Sequence, residues 1–182
     1  DGNVVDLLGG DDPYFLRGLR GAYLGTTRLK LSPKKPEDLE KIKNVRKNMD
    51  NLNVEALFYI GGNDTAYTLM AEGRGIHVSK TIDNDLVEND HTPGYGSAVL
   101  SNCEIIRALT SDVGSFNLKV VNSYGEVFSN APVVVYQTQG RNTGWLTFGC
   151  VFAKLDHAGE LIENNAPHIF LPREVPFDEE LL

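Results

Sequence analysis

The chain has 182 residues and a formal net charge of −8, with 25 acidic side chains against 17 Lys and Arg, a balance that argues against nucleic acid and anionic membrane as partners. That length suffices to bury a core in one domain, and no apolar run approaches the roughly 18 residues that a membrane span needs. Cys103 and Cys150 each sit in an apolar helical context and are expected as reduced, buried thiols; His77, His91, His157 and His168 are scattered and read as structural.

In chain order, Gly9-Gly10-Asp11-Asp12-Pro13 follows no hydrophobic strand and reads as a turn. Pro36 opens a helix in which Leu39, Ile42, Val45, Met49 and Leu52 recur every three or four residues, with Glu37, Asp38 and Glu40 early, as the macrodipole favours. Residues 54–60, Val-Glu-Ala-Leu-Phe-Tyr-Ile, form a nearly continuous apolar run that reads as a buried parallel strand. A helix is expected from Thr65, then a short strand over residues 73–78. A second long helix is predicted over residues 95–110 with Val99, Leu100, Cys103, Ile106 and Leu109 inward, and residues 114–130 fit a hairpin turning at Tyr124-Gly125-Glu126. Val133-Val134-Val135-Tyr136 predicts another strand, residues 145–155 another helix and Ile169-Phe170-Leu171 a last short strand. Alternating strands and helices imply an α/β fold, a three-layer Rossmann-like parallel sheet with helices on both faces.

Two places carry chemistry. The strand over residues 54–60 ends abruptly in Gly61-Gly62-Asn63-Asp64-Thr65. Ligands in open α/β sheets bind beyond the carboxyl ends of the strands, where glycines let backbone N–H groups approach phosphate and a following helix adds its positive end. A glycine pair also serves a plain left-handed turn. The next strand delivers Ser79-Lys80-Thr81-Ile82-Asp83-Asn84-Asp85 to the same edge. Read as extended backbone, Asp83 and Asp85 point the same way and can act on one substrate, one as a base and the other on a metal ion or on its neighbour's pKa. Alone, an Asp-Asn-Asp run is more often a polar turn bonding local backbone; the glycine turn upstream shifts the balance toward chemistry.

These motifs resemble those of the phosphofructokinases. Gly61-Gly62-Asn63-Asp64-Thr65 is similar to that family's phosphate-binding motif, Lys80-Thr81-Ile82-Asp83-Asn84-Asp85 to its catalytic motif, and Thr92-Pro93-Gly94-Tyr95-Gly96-Ser97-Ala98 to the helix opening that follows. Leu24-Gly25-Thr26-Thr27-Arg28 and Gly140-Arg141-Asn142-Thr143-Gly144-Trp145 match two further motifs, so the resemblance runs from about Leu24 to Phe177. It implies Asp83 as general base, with Thr81 and Asp85 positioning the reacting groups. Phosphate and donor contacts would come from Gly61, Gly62, Asn63, Asp64, Thr65, Lys80 and Arg28, and sugar contacts from Gly140, Arg141 and Glu174. Mg²⁺ would be held among Asn63, Asp64, Asp83 and Asp85. Asp64 and Lys80 are what pyrophosphate-using members carry where ATP-using members have glycine. An Asp in the path of a nucleotide's α-phosphate excludes ATP, and a compact ammonium suits pyrophosphate. Asp64 also suits a helix N-cap, Lys80 a solvated surface and Arg141 an ordinary ion pair.

The resemblance therefore implies a cytoplasmic, homo-oligomeric phosphotransferase acting on fructose 6-phosphate and pyrophosphate. The alternatives are an ATP-dependent phosphofructokinase or other sugar-phosphate kinase, and a non-catalytic phosphosugar-binding regulatory relative. The last is motivated by Asn63 for Asp and by Gln137 and Gln139 for an acid and a Met, and the intact acid pair argues against it; two further departures, no Arg over residues 122–132 and Arg173 between Pro172 and Glu174, bear on the sugar contacts. Residues 1–182 are expected to be one phosphofructokinase-like domain, a piece lacking the family's N-terminal phosphate loop and C-terminal substrate region.

Overall fold

The computed structural model describes residues 22, 25–27, 29–116, 118–130, 132–176, 178 and 180. Expectations for Leu24, Arg28, Phe177 and the turn at residues 9–13 fall outside the described residues.

Helix α1 spans Pro36–Asn51, with Pro in its first turn and Glu37 and Asp38 beside the helix's positive end. At about 100° per residue, Asp38, Ile42, Val45 and Met49 fall within an arc of roughly 60°. Asp38, Ile42 and Met49 are buried. Leu39 lies about 60° beyond that arc and is 44% exposed; Leu52, past the helix end, is 57% exposed. Recurrence every three or four residues is thus broader than the stripe the neighbours cover. The Asp38 carboxylate accepts from Ser32 N–H (3.1 Å) and Lys41 Nζ (3.2 Å), tying down the segment before the helix.

Strand β1 (Phe58–Gly61) pairs in parallel with β2 (Ile76–Ser79), Phe58 opposite Ile76 and Gly61 opposite Ser79. Between them runs helix α2, Asn63–Glu72, beginning two residues before the expected Thr65. It packs on both strands and on α1. Gly75 makes the return possible. Its φ is +109° and a Cβ there would stand 2.7 Å from the Leu57 carbonyl oxygen, to which Ile76 N–H donates at 2.8 Å, so only glycine fits. Phe58, Ile60 and Ile76 remain more than half exposed, so the described residues do not cover both faces of this pair.

Helix α3, Tyr95–Ser115, buries Val99, Cys103 and Ile106. Leu100, about 100° round from Val99, is 58% exposed and not inward as expected. The hairpin over residues 118–130 forms as read: β3 (Leu118–Val121) and β4 (Val127–Asn130) are antiparallel. Asn122 Oδ1 accepts from the N–H groups of Tyr124 and Glu126, both at 2.9 Å, across the turn. Residues 133–136 and 169–171 are not strands. An apolar run supplies the β preference but not the partner, and Val133 and Val135 are 88% and 90% exposed. The helix expected over 145–155 divides into α4 (Trp145–Gly149) and a 3₁₀ turn (Cys150–Lys154). Arg107 donates to the carbonyls of Phe152 (3.1 Å), Ala153 (3.3 Å) and Leu155 (2.9 Å), satisfying acceptors that the ending helix leaves open.

The main core joins α3 to this turn through Val99, Cys103, Ile106, Leu146, Cys150 and Ala153. Cys103 and Cys150 are both free, buried thiols. Burial raises both, and with Cys103 nearby the Cys150 thiol is pushed up to about 11. Among the described residues no helix is long and apolar enough to cross a membrane.

Leu146 is 2% exposed, so Leu146→Ala should destabilise the protein by roughly 2–5 kcal/mol. Leu100→Ala on the open face of α3 should stay within about 0.5 kcal/mol. Urea unfolding of the two variants checks the contrast.

Candidate active site

The parallel pairing of β1 and β2 brings their carboxyl ends to one edge. At the end of β1 the chain turns through Gly61 and Gly62 into α2. A Cβ on Gly61 would overlap the Thr65 side chain, and the N–H groups of Thr65 and Ala66 close onto the Gly62 carbonyl at 3.1 and 3.2 Å. Gly62 lies against the second edge segment: a Cβ there would be 3.9 Å from Thr81 Cβ and 4.0 Å from the Lys80 oxygen. The Gly61 carbonyl accepts from Lys80 N–H at 3.0 Å and lies 2.8 Å from His77 Nε2. Glycine turn and acid segment are thus one structure.

Asp64 stands in the first turn of α2. Its Oδ1 is 2.5 Å from Lys30 Nζ, and that ammonium lies 5.1 Å from the centroid of the Tyr67 ring. Thr68 Oγ1 donates to the Asp64 carbonyl (3.1 Å) and accepts Leu31 N–H (3.3 Å), holding the Lys30–Leu31 segment along the helix. Lys30 was missed in the sequence, where it carries no motif signal.

Beyond β2, Asp83 N–H bonds back to Thr81 Oγ1 at 3.1 Å. Asn84 then adopts a left-handed conformation, φ +53°. This corrects the extended reading of the segment, because a period of two does not pass through a left-handed residue. The two carboxylates are coupled nonetheless. Burial first and then the Asp85 charge push Asp83 above the ordinary carboxylate range, and Arg141 and Lys80 pull against them. Three charged residues singled out from the sequence, Asp85, Arg141 and Lys80, therefore act on Asp83 here.

The segment around residue 141 is anchored beside them. Thr143 Oγ1 donates to the Asp83 carbonyl at 2.8 Å, a contact that the unassigned positions of the Gly140–Trp145 motif concealed. Gly140 has φ +117°, and a Cβ would meet the Thr143 oxygen at 2.6 Å. Gly144 N–H donates to Glu174 Oε1 at 2.7 Å. Glu174, expected as a sugar ligand, is used on that oxygen to hold the turn after Arg141. Asn84, 7% exposed, and Thr92, fully buried, bond each other and close the loop between them.

Among the described residues no three His, Cys, Asp or Glu side chains gather as a ready metal cage. Mg²⁺ asks for less, since it commonly takes one or two carboxylates and completes its shell with phosphate oxygens and water. The hard oxygen donors of Asp83 and Asp85, with the Asn63 amide at the head of α2, fit that demand; the Asp64 carboxylate is shared with Lys30. The arrangement can bind a phosphorylated group against backbone N–H groups, neutralise its charge with Lys80 and Arg141, and remove a proton through Asp83.

A family profile described as Phosphofructokinase matches residues 15–178. The chain is 32% identical over 165 residues to a pyrophosphate-fructose 6-phosphate 1-phosphotransferase of Rhodospirillum rubrum, covering 85% of this chain and 34% of that protein. It is 31% identical over 153 residues to a sulfofructose kinase of Alkalicoccus urumqiensis, covering 79% of this chain and 36% of that protein. An ATP-dependent 6-phosphofructokinase of Spirochaeta thermophila is 31% identical over 170 residues, 87% of this chain and 39% of that protein. The chain spans about a third of the length of the curated relatives it matches.

Because Asp83 is raised, the folded protein keeps its proton to higher pH than the unfolded chain does. Ionising Asp83 thus costs stability. The cost is absent below the unfolded carboxylate value, grows as pH rises toward the folded value and is complete above it. Asp83→Asn should therefore raise Tm more at about pH 8 than at about pH 3, values that bracket carboxylate titration. Calorimetric scans at both values measure this, and equal changes in Tm would contradict it.

Proposed function

The chain belongs to the phosphofructokinase family, and on that premise we propose that its protein moves a phosphoryl group from pyrophosphate to the primary hydroxyl of fructose 6-phosphate. The observation that carries this reading is the junction at Gly61. The Lys80 N–H on its carbonyl fixes the phosphate turn beside an acid whose basicity is raised by burial and by Asp85. In this reading the parallel β1–β2 pair belongs to a three-layer Rossmann-like sheet, and the working protein is a cytoplasmic homo-oligomer.

Asp83 takes the proton of the sugar hydroxyl as its oxygen attacks the terminal phosphorus of pyrophosphate. The P–O bond to the leaving phosphate breaks, and inorganic phosphate departs with that electron pair. A base raised toward working pH is better matched to this step than an ordinary carboxylate. Phosphoryl transfer otherwise needs placement and charge neutralisation. Lys80 and Arg28 meet the donor's charge, the N–H groups following Gly61 and Gly62 seat its phosphate with Thr65, and Arg141 with Gly140 and Glu174 frames the sugar phosphate. Thr81 and Asp85 orient the reacting groups. Mg²⁺, when bound, supplies positive charge on the phosphate oxygens, with Asn63, Asp64, Asp83 and Asp85 the residues to hold it.

Donor choice rests on Asp64 and Lys80. The ion pair with Lys30 supports a fixed position for the Asp64 carboxylate, which bars a nucleotide's α-phosphate by bulk. An ATP donor is the second reading, favoured by the name of the Spirochaeta relative; the acceptor named for the Alkalicoccus relative, sulfofructose, is the alternative to assay beside fructose 6-phosphate.

Two outcomes follow for the full-length protein. Asp83→Asn should lower kcat by roughly 10²–10⁴-fold, the usual contribution of general base catalysis, in a coupled assay; turnover near wild type in a folded variant would remove Asp83 from that role. Wild type should show a higher kcat/KM with pyrophosphate than with ATP. Asp64→Gly should raise ATP use, and adding Lys80→Gly should lower pyrophosphate use. Preference of the wild type for ATP, or an unchanged donor ratio in the double variant, would sink the donor assignment.

A further inference from the structure

The loop that leaves the acid pair returns to the fold through two buried side chains, Asn84 and Thr92. Asn84 stands between Asp83 and Asp85 at φ +53°, a conformation disfavoured by about 1–2 kcal/mol for a residue with a Cβ. Glycine would adopt it freely, yet the residue is Asn, and its side chain is only 7% exposed. Asn84 Oδ1 accepts from Thr92 N–H at 2.8 Å and stands 3.1 Å from Thr92 Oγ1, whose single proton it shares with the Thr81 carbonyl, and Nδ2 donates to the Asp90 carbonyl at 3.4 Å. Thr92 is at 0% exposure. Its hydroxyl also lies 2.8 Å from the Thr81 carbonyl oxygen, and Thr81 and Gly94 form a parallel bridge. Tyr95 N–H donates to the Thr92 carbonyl at 3.1 Å, opening α3, whose Val99 enters the main core. A strained residue persists where its surroundings over-determine it; here the Asp83 side of the kink is held by Thr81 Oγ1 and Thr143 Oγ1, and the Asn84 side chain is held by this buried set of bonds.

We propose that Asn84 and Thr92 are positioning residues, a buried clip that fixes the kink between Asp83 and Asp85 and fastens the acid pair to the first turn of α3, so that it governs turnover and not substrate binding. The clip rests on the reading of Asp83 as base. Thr92 is fully buried and Asn84 nearly so, and the polar atoms of both are engaged within the protein, which suits a structural and not a ligand-binding role. What they set is the direction from which the two carboxylates approach, and a displacement of about 1 Å at a reacting group can cost on the order of 100-fold in rate.

The test uses the full-length protein with Thr92→Val, Thr92→Ser, Asn84→Gly and Asn84→Asp. Thr92→Val removes the hydroxyl at equal volume; Thr92→Ser restores it. Asn84→Gly keeps the left-handed backbone and deletes the acceptor, whereas Asn84→Asp keeps the acceptor for Thr92 N–H at the cost of the long Nδ2 bond to the Asp90 carbonyl and of an added charge. Thr92→Val and Asn84→Gly should each lower kcat by about 10- to 100-fold with KM for fructose 6-phosphate and for pyrophosphate within about twofold. Thr92→Ser should recover kcat to within about threefold, and Asn84→Asp should retain more turnover than Asn84→Gly. Amide exchange at residues 83–85 should quicken by about tenfold or more in Thr92→Val and return in Thr92→Ser, as local opening without global unfolding requires. Folded variants with unchanged kcat, KM rising as far as kcat falls, no rescue by Ser, or unaltered exchange at residues 83–85 would each overturn the clip. If Thr92→Val does not fold, Asn84→Gly against Asn84→Asp decides the same point. Wild-type protein inactive with both donors would sink the proposed function instead, and the exchange comparison alone would then decide whether the clip holds the segment.

Discussion

One backbone oxygen organises the site. The Gly61 carbonyl sits where β1 ends, accepts Lys80 N–H and lies within bonding distance of His77 Nε2, so the last rung of the parallel ladder is also the joint between the phosphate turn and the acid segment. An antiparallel pairing of the same two four-residue strands would have put those ends about 10 Å apart along the strands, given a rise of about 3.3 Å per residue. Parallel pairing needs the α2 crossover, and the crossover needs Gly75, whose backbone passes too close to the Leu57 carbonyl for any side chain. The placement of residues 80–85 beside the glycine turn thus depends on a glycine outside both segments.

Charge balance around Asp83 is set by unequal neighbours. Burial and Asp85 raise it, and Arg141 and Lys80 oppose them. The result is a carboxyl raised from its ordinary value without being isolated from cations. The Lys30–Asp64 pair is different. With both partners more than half exposed, such a bridge contributes at most about 1 kcal/mol to stability; its effect is to choose an orientation for the Asp64 side chain.

Much of this was legible from residue order, and the misses share physical causes. Gly61-Gly62 followed by a helix, and the acid pair after the next strand, were found because glycine requirements and strand ends leave local marks. The hairpin at Asn122 to Glu126 was found for the same reason. Asn84 was misread as extended because its left-handed backbone is stabilised by Thr92, eight residues away, and local pattern does not report a buried partner at that distance. Residues 133–136 were read as a strand from their valines, yet strand identity belongs to a pair and not to a segment. Leu39 and Leu100 show the same limit on helices: spacing gives a face, and only packing decides how wide that face is. Lys30 and Thr143 could be recognised only once the fold had brought them to Asp64 and Asp83.

The two thiols of the main core have a practical meaning. At neutral pH a Cys150 pushed up to about 11 is ionised in roughly one molecule in ten thousand, and the thiolate is the form that reacts. Cys103, also raised and buried, shares that protection. Thiol-directed alkylating reagents therefore meet neither sulfur in the native state, and parting of α3 from the turn at residues 150–154 would expose both. The pair serves as a built-in clock for opening of that interface, with modification recording each excursion that exposes it.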